Sequence, residues 1–451
     1  MIGADDQARS EESLGLRRAL WITFLAALVV RLLFCFVAIP AMGLNLGPAR
    51  SDFHSSTDGY TTLAVNLIDH GVYGFAPDAP PTSYRAPAYP AALAIAYATI
   101  GNIDVAVLLV NCLSSAATCV LVLLLARQLS GEHVNGWWAL PAIVFPLSVY
   151  YCANAFSDTF LAFAVIAYIW STVRLLQQPS HLNALLVASC FALAALTKAV
   201  VSPIPLVLVA FSLFVKRGAM KPAVIAMVLG FALTGVWTAR NYIVTDEFTP
   251  VTGGTGFNML LGNYMLEENH DCDRSLKHGR RRALEYFAST GKPIELERID
   301  THGHLDVPKD IDRRYGAAAF EMFRADPLLI IKKIGIGFAR FWYFSSSPTK
   351  SLANAVVNGS VLLLALIGLS RVPAERRGVT AWLILFSFSF VFLYALIIIH
   401  STRFSLPIVM ALLPLATAPV AALIAKPAHR THANTSHSNA GVATHVEGLR
   451  S

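Results

Sequence analysis

The stretch SDFHSSTDGYTTLAVNLIDHGVYGFAPDAPPTSYRAPAYP, residues 51–90, is a polar island between a first apolar run and the long apolar remainder of the chain. Within it Tyr60, Leu63, Ala64, Leu67 and Ile68 recur at the spacing of one helix face. They predict a short amphipathic helix on a membrane surface, opened by Thr57 or Asp58 as N-cap and closed by Gly71. A carboxylate is thereby placed where a helix begins, at the boundary between water and lipid.

Working outward, 55% of the residues are hydrophobic, 14% are charged and the mean hydropathy is +0.56. That excludes a soluble globular protein and predicts an all-α polytopic membrane protein. The formal charge of +7 is read as lysine and arginine anchoring cytoplasmic loops, so nucleic acid is not expected as a partner. Of six cysteines, Cys35, Cys112, Cys119, Cys152 and Cys190 lie in apolar runs and read as small hydrophobes. Cys272 alone stands in a polar segment, where a bridge to Cys152 is conceivable, and no disulfide framework or zinc spacing is present.

Arg17-Arg18 precede the apolar run Ala19–Ile39, which puts residues 1–18 in the cytoplasm and makes the first span an uncleaved signal-anchor. The first outer loop then covers 40–104. Its apolar segment Pro87–Ile100 is too short to cross and is read as an interfacial helix. Further spans are expected at Val105–Leu125, Trp137–Ala155, Thr159–Thr172, Leu182–Leu196, Val200–Val215 and Lys221–Arg240, completing an N-terminal membrane module, 19–240. Composition shifts at Asn241, so 241–351 is read as an extracytoplasmic domain. Its glycine cluster Gly253, Gly254, Gly256 predicts a flexible loop rather than a dinucleotide fingerprint. LLIIKKIGIGFARFWYF, 328–344, holds Lys332, Lys333 and Arg340. Crossing would bury three cations, so it is placed flat on the outer surface. Three last spans, Ala353–Leu369, Trp382–Ile399 and Phe404–Ala425, fall in 352–426 and bring the total to about ten. The tail, 427–451, is polar and expected to be disordered and cytoplasmic.

Threaded this way, the chain gathers Asp58, Arg85, Asp158, Lys198, Arg240 and Arg403 at one membrane face. Both signs converging there fit a site that holds an anionic head group with cations and keeps carboxylates for chemistry. Each has a plainer reading: Asp58 and Asp158 as helix caps, Arg85 as an interfacial anchor, Lys198 and Arg403 as cations snorkelling from span ends.

The pattern DGYTTLAVNLIDHGVYG then YRAPAYPAALA, FSDTF opening a span, LTKA, ARNY with a downstream LGNY, and TRFSLP before the last span resembles the membrane glycosyltransferases of GT-C fold. Within that family it is most similar to the branch of protein O-mannosyltransferases and lipid A aminoarabinose transferases. The resemblance implies a GT-C type bundle with interfacial helices in the first outer loop and a small extracytoplasmic domain. It also implies transfer of a sugar from a polyprenyl-phosphate carrier to an envelope acceptor, on the outer face of a bacterial inner membrane. Asp58 and Asp158 then match the catalytic acids, while Arg85, Lys198 and Arg403 match the cations for the donor phosphate. Tyr60, Tyr84, Tyr89, Arg240 and Asn263 stand as further substrate-binding candidates. Where many relatives carry an acidic pair, this chain has Asp58-Gly59. No metal-ligand spacing appears, and a divalent cation beside Asp58 or Asp158 is the one cofactor left open. The competing reading is a lipid or polyol transporter or flippase. It calls for internal repeats and midplane charges, whereas these charges sit at span ends; a non-catalytic scaffold would need no such gathering.

Overall fold

A computed structural model describes residues 2–42, 58–131, 134–291, 293–294, 300–301, 304–397 and 401–424. The expected cap Thr57, the start of the first outer loop and the tail 427–451 lie outside them. Among the described residues, 7 helices are long and apolar enough to cross a membrane, or 8 if the helix pair Gly136–Ile143 and Pro146–Ala153, bent by 65°, is one broken span. The shorter apolar helices His181–Thr197 and Ala199–Phe214 stand where two more of the expected ten spans were placed.

The first helix, α1, runs over Ile2–Leu33 and continues through a π-helical turn at Phe34–Ala38. In the first loop α2 spans Tyr60–Asp69 and α3 spans Ala88–Ile100. They pack together through Tyr60, Ala64, Tyr89 and Leu93. The bundle follows with α4 (Ile103–Ser130), the bent crossing, α5 (Asp158–Gln177), α6 (His181–Thr197), α7 (Ile204–Phe214) and α8 (Met220–Thr245). A polar module of α9 (Thr255–Tyr264), α10 (Cys272–Ser289) and α11 (Lys309–Ala325) has its own core around Phe257, Phe287 and Tyr315. Its only β structure among the described residues is a two-residue antiparallel pair, Asp300–Thr301 with His304–Leu305. Then come α12 (Leu328–Tyr343), α13 (Pro348–Leu369), α14 (Arg377–Ile397) and α15 (Leu406–Ile424).

Three readings of the sequence are corrected. The expected continuous span Trp137–Ala155 is broken at Val144–Phe145, because Pro146 starts a new helix and cannot donate to the turn before it. The glycine cluster is packed rather than flexible. Gly254, at φ 83°, is the N-cap of α9 against the Tyr84 ring, and a Cβ on Gly256 would stand 2.1 Å from the Asp312 carbonyl oxygen. Asp312 caps that helix by accepting from Phe257 N at 2.7 Å. Helix α12 buries two of its three cations, Lys333 and Arg340, and leaves Lys332 exposed. Lys333 donates to Met259 O and Asn263 Oδ1, both at 2.9 Å, and Arg340 donates to Met265 O, Glu268 O and Asn269 Oδ1. Its other face packs Phe338 and Phe341 on Phe388 and Phe390 of α14. The carbonyls of the polar module thus offset the burial that a lipid setting would have made costly. All six cysteines are free, so Cys152 and Cys272 are not bridged.

One charge inside a span escaped the sequence reading. Arg31 is fully buried in α1. Its guanidinium donates to Ile143 O (2.6 Å), Ala142 O (3.3 Å), Ser115 Oγ (2.9 Å) and Ser148 Oγ (3.1 Å). These carbonyls end the first half of the bent crossing, where helix termination leaves acceptors free, so the cation completes the break. Arg31→Leu orphans them at about 1–3 kcal/mol each. We expect it to lower the thermal unfolding temperature of the detergent-solubilised chain by more than any exposed arginine substitution does. An unfolding temperature equal to wild type would show that the break stands without Arg31.

Candidate active site

The site is built where the first loop meets the ends of three membrane helices. Asp58 precedes α2, but it is not the cap: Gly59, at φ 76° in the left-handed region, occupies the N-cap position with no side-chain cap bond. The Asp58 carboxylate is therefore free of its plainer reading. Its backbone carbonyl accepts from Arg85 Nε at 2.8 Å, Oδ1 lies 3.9 Å from Arg85 Nη2, and Oδ2 accepts from Arg403 Nη2 at 3.2 Å. Asp158, the first residue of α5, is likewise not a cap-bonding acid; Ser157 holds the N-cap position. Its Oδ1 accepts from Lys198 Nζ at 3.1 Å, and Oδ2 stands 3.7 Å from Arg403 Nε without a hydrogen bond.

Arg85, Asp58, Arg403, Asp158 and Lys198 thus form one chain of alternating charge, drawn from five separate segments. Three cations against two anions leave it with a net positive charge. The Asp158 side chain is fully enclosed, whereas those of Asp58, Arg85, Arg403 and Lys198 keep 24%, 18%, 22% and 17% of their surface exposed. Aromatic rings hold the cations from behind. Arg85 lies 4.7 Å from the Tyr84 ring, Arg403 4.7 Å from Phe156, and Lys198 4.4 Å from Phe404. Burial alone would raise the Asp58 carboxyl, but Arg403, Arg85 and Lys198 together outweigh it and hold it below the ordinary aspartate value.

The other candidates fall in different places. Tyr60 lines the site, its hydroxyl accepting from Ser157 Oγ at 3.3 Å and its ring 5.7 Å from Arg85. Burial, then Asp58, raises its phenol above the usual value, so it stays a neutral hydroxyl. Tyr84 forms the floor beneath Arg85. Tyr89 is completely buried one layer below, edge-on to Tyr60, with its hydroxyl donating to Asn111 Oδ1 at 3.2 Å; it supports the site and cannot touch a ligand. Arg240 is apart from the ion chain, stacked on Trp237 (4.6 Å) and donating to Thr82 O at 2.7 Å. Thr82 Oγ1 in turn donates to Asp306 of the polar module at 3.0 Å, so Arg240 ties α8 to the loop and Thr82 ties the loop to that module. Asn263 is buried in the module and occupied by Lys333. Ser157, Phe156 and Phe404 support the site without having been singled out beforehand; the first two lie inside the quoted FSDTF and the third inside TRFSLP.

Among the described residues no group of three or more histidine, cysteine or acidic side chains could hold a metal ion. The two site carboxylates are each engaged by arginine or lysine, a donor set that does not fit a divalent cation.

No protein-family profile matches the chain, and no curated protein sequence is significantly similar to it. In shape it is similar to the oligosaccharyltransferase AglB of Archaeoglobus fulgidus in complex with an inhibitory peptide and a dolichol-phosphate. The TM-score is 0.53 at 14% identity, covering 90% of this chain and 50% of that one. The same organism's oligosaccharyltransferase tethered to an acceptor peptide with the NVT sequon gives 0.51 at 14% identity, covering 90% and 49%. ArnT from Cupriavidus metallidurans bound to undecaprenyl phosphate gives 0.42 at 14%, covering 88% and 77%, too low a score to bear on the fold. The chain spans about half the length of the archaeal enzymes. The likeness to them establishes the fold: a helical membrane bundle of GT-C type.

Proposed function

We propose that this GT-C bundle is a membrane glycosyltransferase that moves one sugar from a polyprenyl-phosphate carrier to a hydroxyl of an envelope acceptor, lipid, polysaccharide or protein. The observation that carries it is the alternating ion chain, with a net positive charge and one reachable carboxylate between two arginines.

In the proposed reaction the donor's phosphodiester, a monoanion, displaces Asp58 from Arg85 and Arg403. Freed of both guanidiniums, the carboxylate becomes a stronger base. It takes the acceptor hydroxyl's proton as the new bond to the anomeric carbon forms and the bond from that carbon to the phosphate oxygen breaks. The leaving polyprenyl monophosphate gains a second negative charge, which Arg85, Arg403 and Lys198 stabilise by charge-assisted hydrogen bonds. Asp158, enclosed and paired, keeps Arg403 and Lys198 aimed. Tyr60 is placed to donate to a phosphate oxygen or a sugar hydroxyl. The charges lie at one end of the bundle, the arrangement that favours this reading over a transporter. The face concerned is proposed to be the outer one of a bacterial inner membrane, with residues 1–18 and 427–451 on the cytoplasmic side.

Titration of the purified chain with undecaprenyl phosphate tests it. Arg85→Ala removes a charged donor worth about 1.5–3 kcal/mol, so the dissociation constant is expected to rise by roughly tenfold or more. An unchanged constant would remove Arg85 as a phosphate ligand.

A further inference from the structure

The segment between α2 and α3, residues 71–87, contains no helix or strand, so no backbone ladder of its own sets the direction of Arg85. Its bonds come from elsewhere, and they meet at Thr82. This residue is 4% exposed, and each of its polar atoms is engaged. Its N–H donates to Tyr73 O at 2.8 Å, and its carbonyl accepts from Arg240 Nη1 at 2.7 Å. Oγ1 accepts from Tyr84 N at 2.9 Å, closing the turn from Thr82 to Tyr84, and donates its one proton to Asp306 Oδ1 at 3.0 Å.

Asp306 belongs to the polar module. It follows the strand pair and precedes Val307, which is buried in the module core, so the carboxylate is presented from a fixed point. The module also grips the next two residues of the loop. Gly253 N donates to Ser83 O at 3.2 Å, and Gly254 abuts the Tyr84 ring, where a Cβ would stand 2.6 Å from Cε2. Arg85 rests 4.7 Å from that ring, and its own carbonyl accepts from the Tyr73 hydroxyl at 3.2 Å. Burial pushes the Asp306 carboxyl above the ordinary aspartate value, against the opposing pull of the Thr82 bond and of Arg85. Arg85 therefore does not hold Asp306 as an ion-pair partner. What reaches Arg85 from the module is the hydrogen-bonded turn and the ring it carries.

We propose that Thr82 and Asp306 are positioning residues for the donor phosphate: their hydrogen bond lets the polar module fix the Thr82–Tyr84 turn, and with it the ring against which Arg85 is aimed. The inference rests on the glycosyltransferase reading, in which Arg85 is a phosphate ligand. It adds that a module outside the ion chain completes that ligand's setting.

Titration of the full-length chain in nanodiscs with undecaprenyl phosphate tests it from both ends of the bond. Thr82→Val keeps the shape and removes the hydroxyl, while Asp306→Ala removes the acceptor from the module side. Each is expected to raise the dissociation constant roughly threefold to tenfold, the effect of one lost hydrogen bond. Thr82→Ser keeps the donor and Asp306→Asn keeps an acceptor without the charge, so each is expected to stay within about twofold of wild type. A bond that merely stabilised the fold would weaken binding whether or not Arg85 is present. Action through Arg85 predicts instead that Thr82→Val costs less than about twofold in an Arg85→Ala background. Three results overturn the proposal: either Thr82→Val or Asp306→Ala binding as wild type does, either conservative variant binding as weakly as the truncation at its position, or Thr82→Val costing the same factor with and without Arg85. A wild type that does not bind undecaprenyl phosphate overturns the glycosyltransferase reading itself.

Discussion

Asp58→Asn is expected to lower sugar transfer by about 10²- to 10⁴-fold, the usual contribution of a positioned general base, while binding of the carrier lipid is kept. The amide fills the same space but cannot take a proton. It also no longer competes with the donor phosphate for Arg85 and Arg403, so affinity for the carrier is retained or improved. Single-turnover transfer measured beside lipid binding separates the two effects. Full transfer by the variant would remove Asp58 as the base, and loss of lipid binding would show that its role is to hold the arginines. The pH dependence follows from the direction of the shift. Arg403, Arg85 and Lys198 keep Asp58 ionised below the ordinary aspartate value of about 3.9. In the free enzyme Asp58 should therefore stay ionised between pH 7 and about pH 5, so its protonation should not lower kcat/KM over that range. The stability that Asp58 contributes is complete above its unfolded-state value and is lost as pH falls through the lower folded-state value.

Arg403→Ala carries the second large effect, and it is double. This side chain pairs with both acids at once, so its loss leaves the enclosed Asp158 carboxylate with Lys198 as its one remaining ion-pair partner. Removing one partner of a buried pair costs ~3–5 kcal/mol. With 22% of the Arg403 side chain exposed to solvent, the low end of that range is expected. Transfer should fall at least a hundredfold and the unfolding temperature should drop. Arg85→Ala, which pairs with Asp58 and not with the enclosed Asp158, should weaken donor binding and slow transfer with a smaller loss of stability. Arg403→Lys places one compact charge where a planar fork met two carboxylates, so it should restore stability further than activity. A variant as stable as wild type would show that Asp158 is satisfied by Lys198 alone.

What the sequence revealed, and what it hid, follows from the kind of information each feature needs. Runs of apolar residues set the spans, and Arg127, Arg174, Lys216 and Arg217 at their ends fixed the order in which they cross. That order alone was enough to bring residues 58, 85, 158, 198 and 403 to one end. The bent crossing stayed hidden because Pro141 and Pro146 lie in a run whose composition is that of a straight span. Arg31 was absorbed by the nineteen apolar residues of Ala19–Ile39 around it, and its acceptors on the bent pair and on Ser115 explain it. Asp58 looked like a cap because capping preference is a matter of residue type, whereas the position itself was taken by a glycine at positive φ. Lys333 and Arg340 were weighed against lipid and water, since no sequence rule offers a neighbouring module's carbonyls as solvent. Tyr89 and Asn263, picked from motifs, stand behind the site or outside it, because motif membership does not distinguish a support from a contact.

Mass spectrometry of envelope lipids and glycans from cells lacking this chain, complemented with wild type or with Asp58→Asn, tests the central claim most directly. One sugar substituent should vanish from a single acceptor while its polyprenyl-phosphate donor accumulates, and only the wild-type chain should restore it. An envelope unchanged by the deletion, or restored equally by Asp58→Asn, would contradict the account.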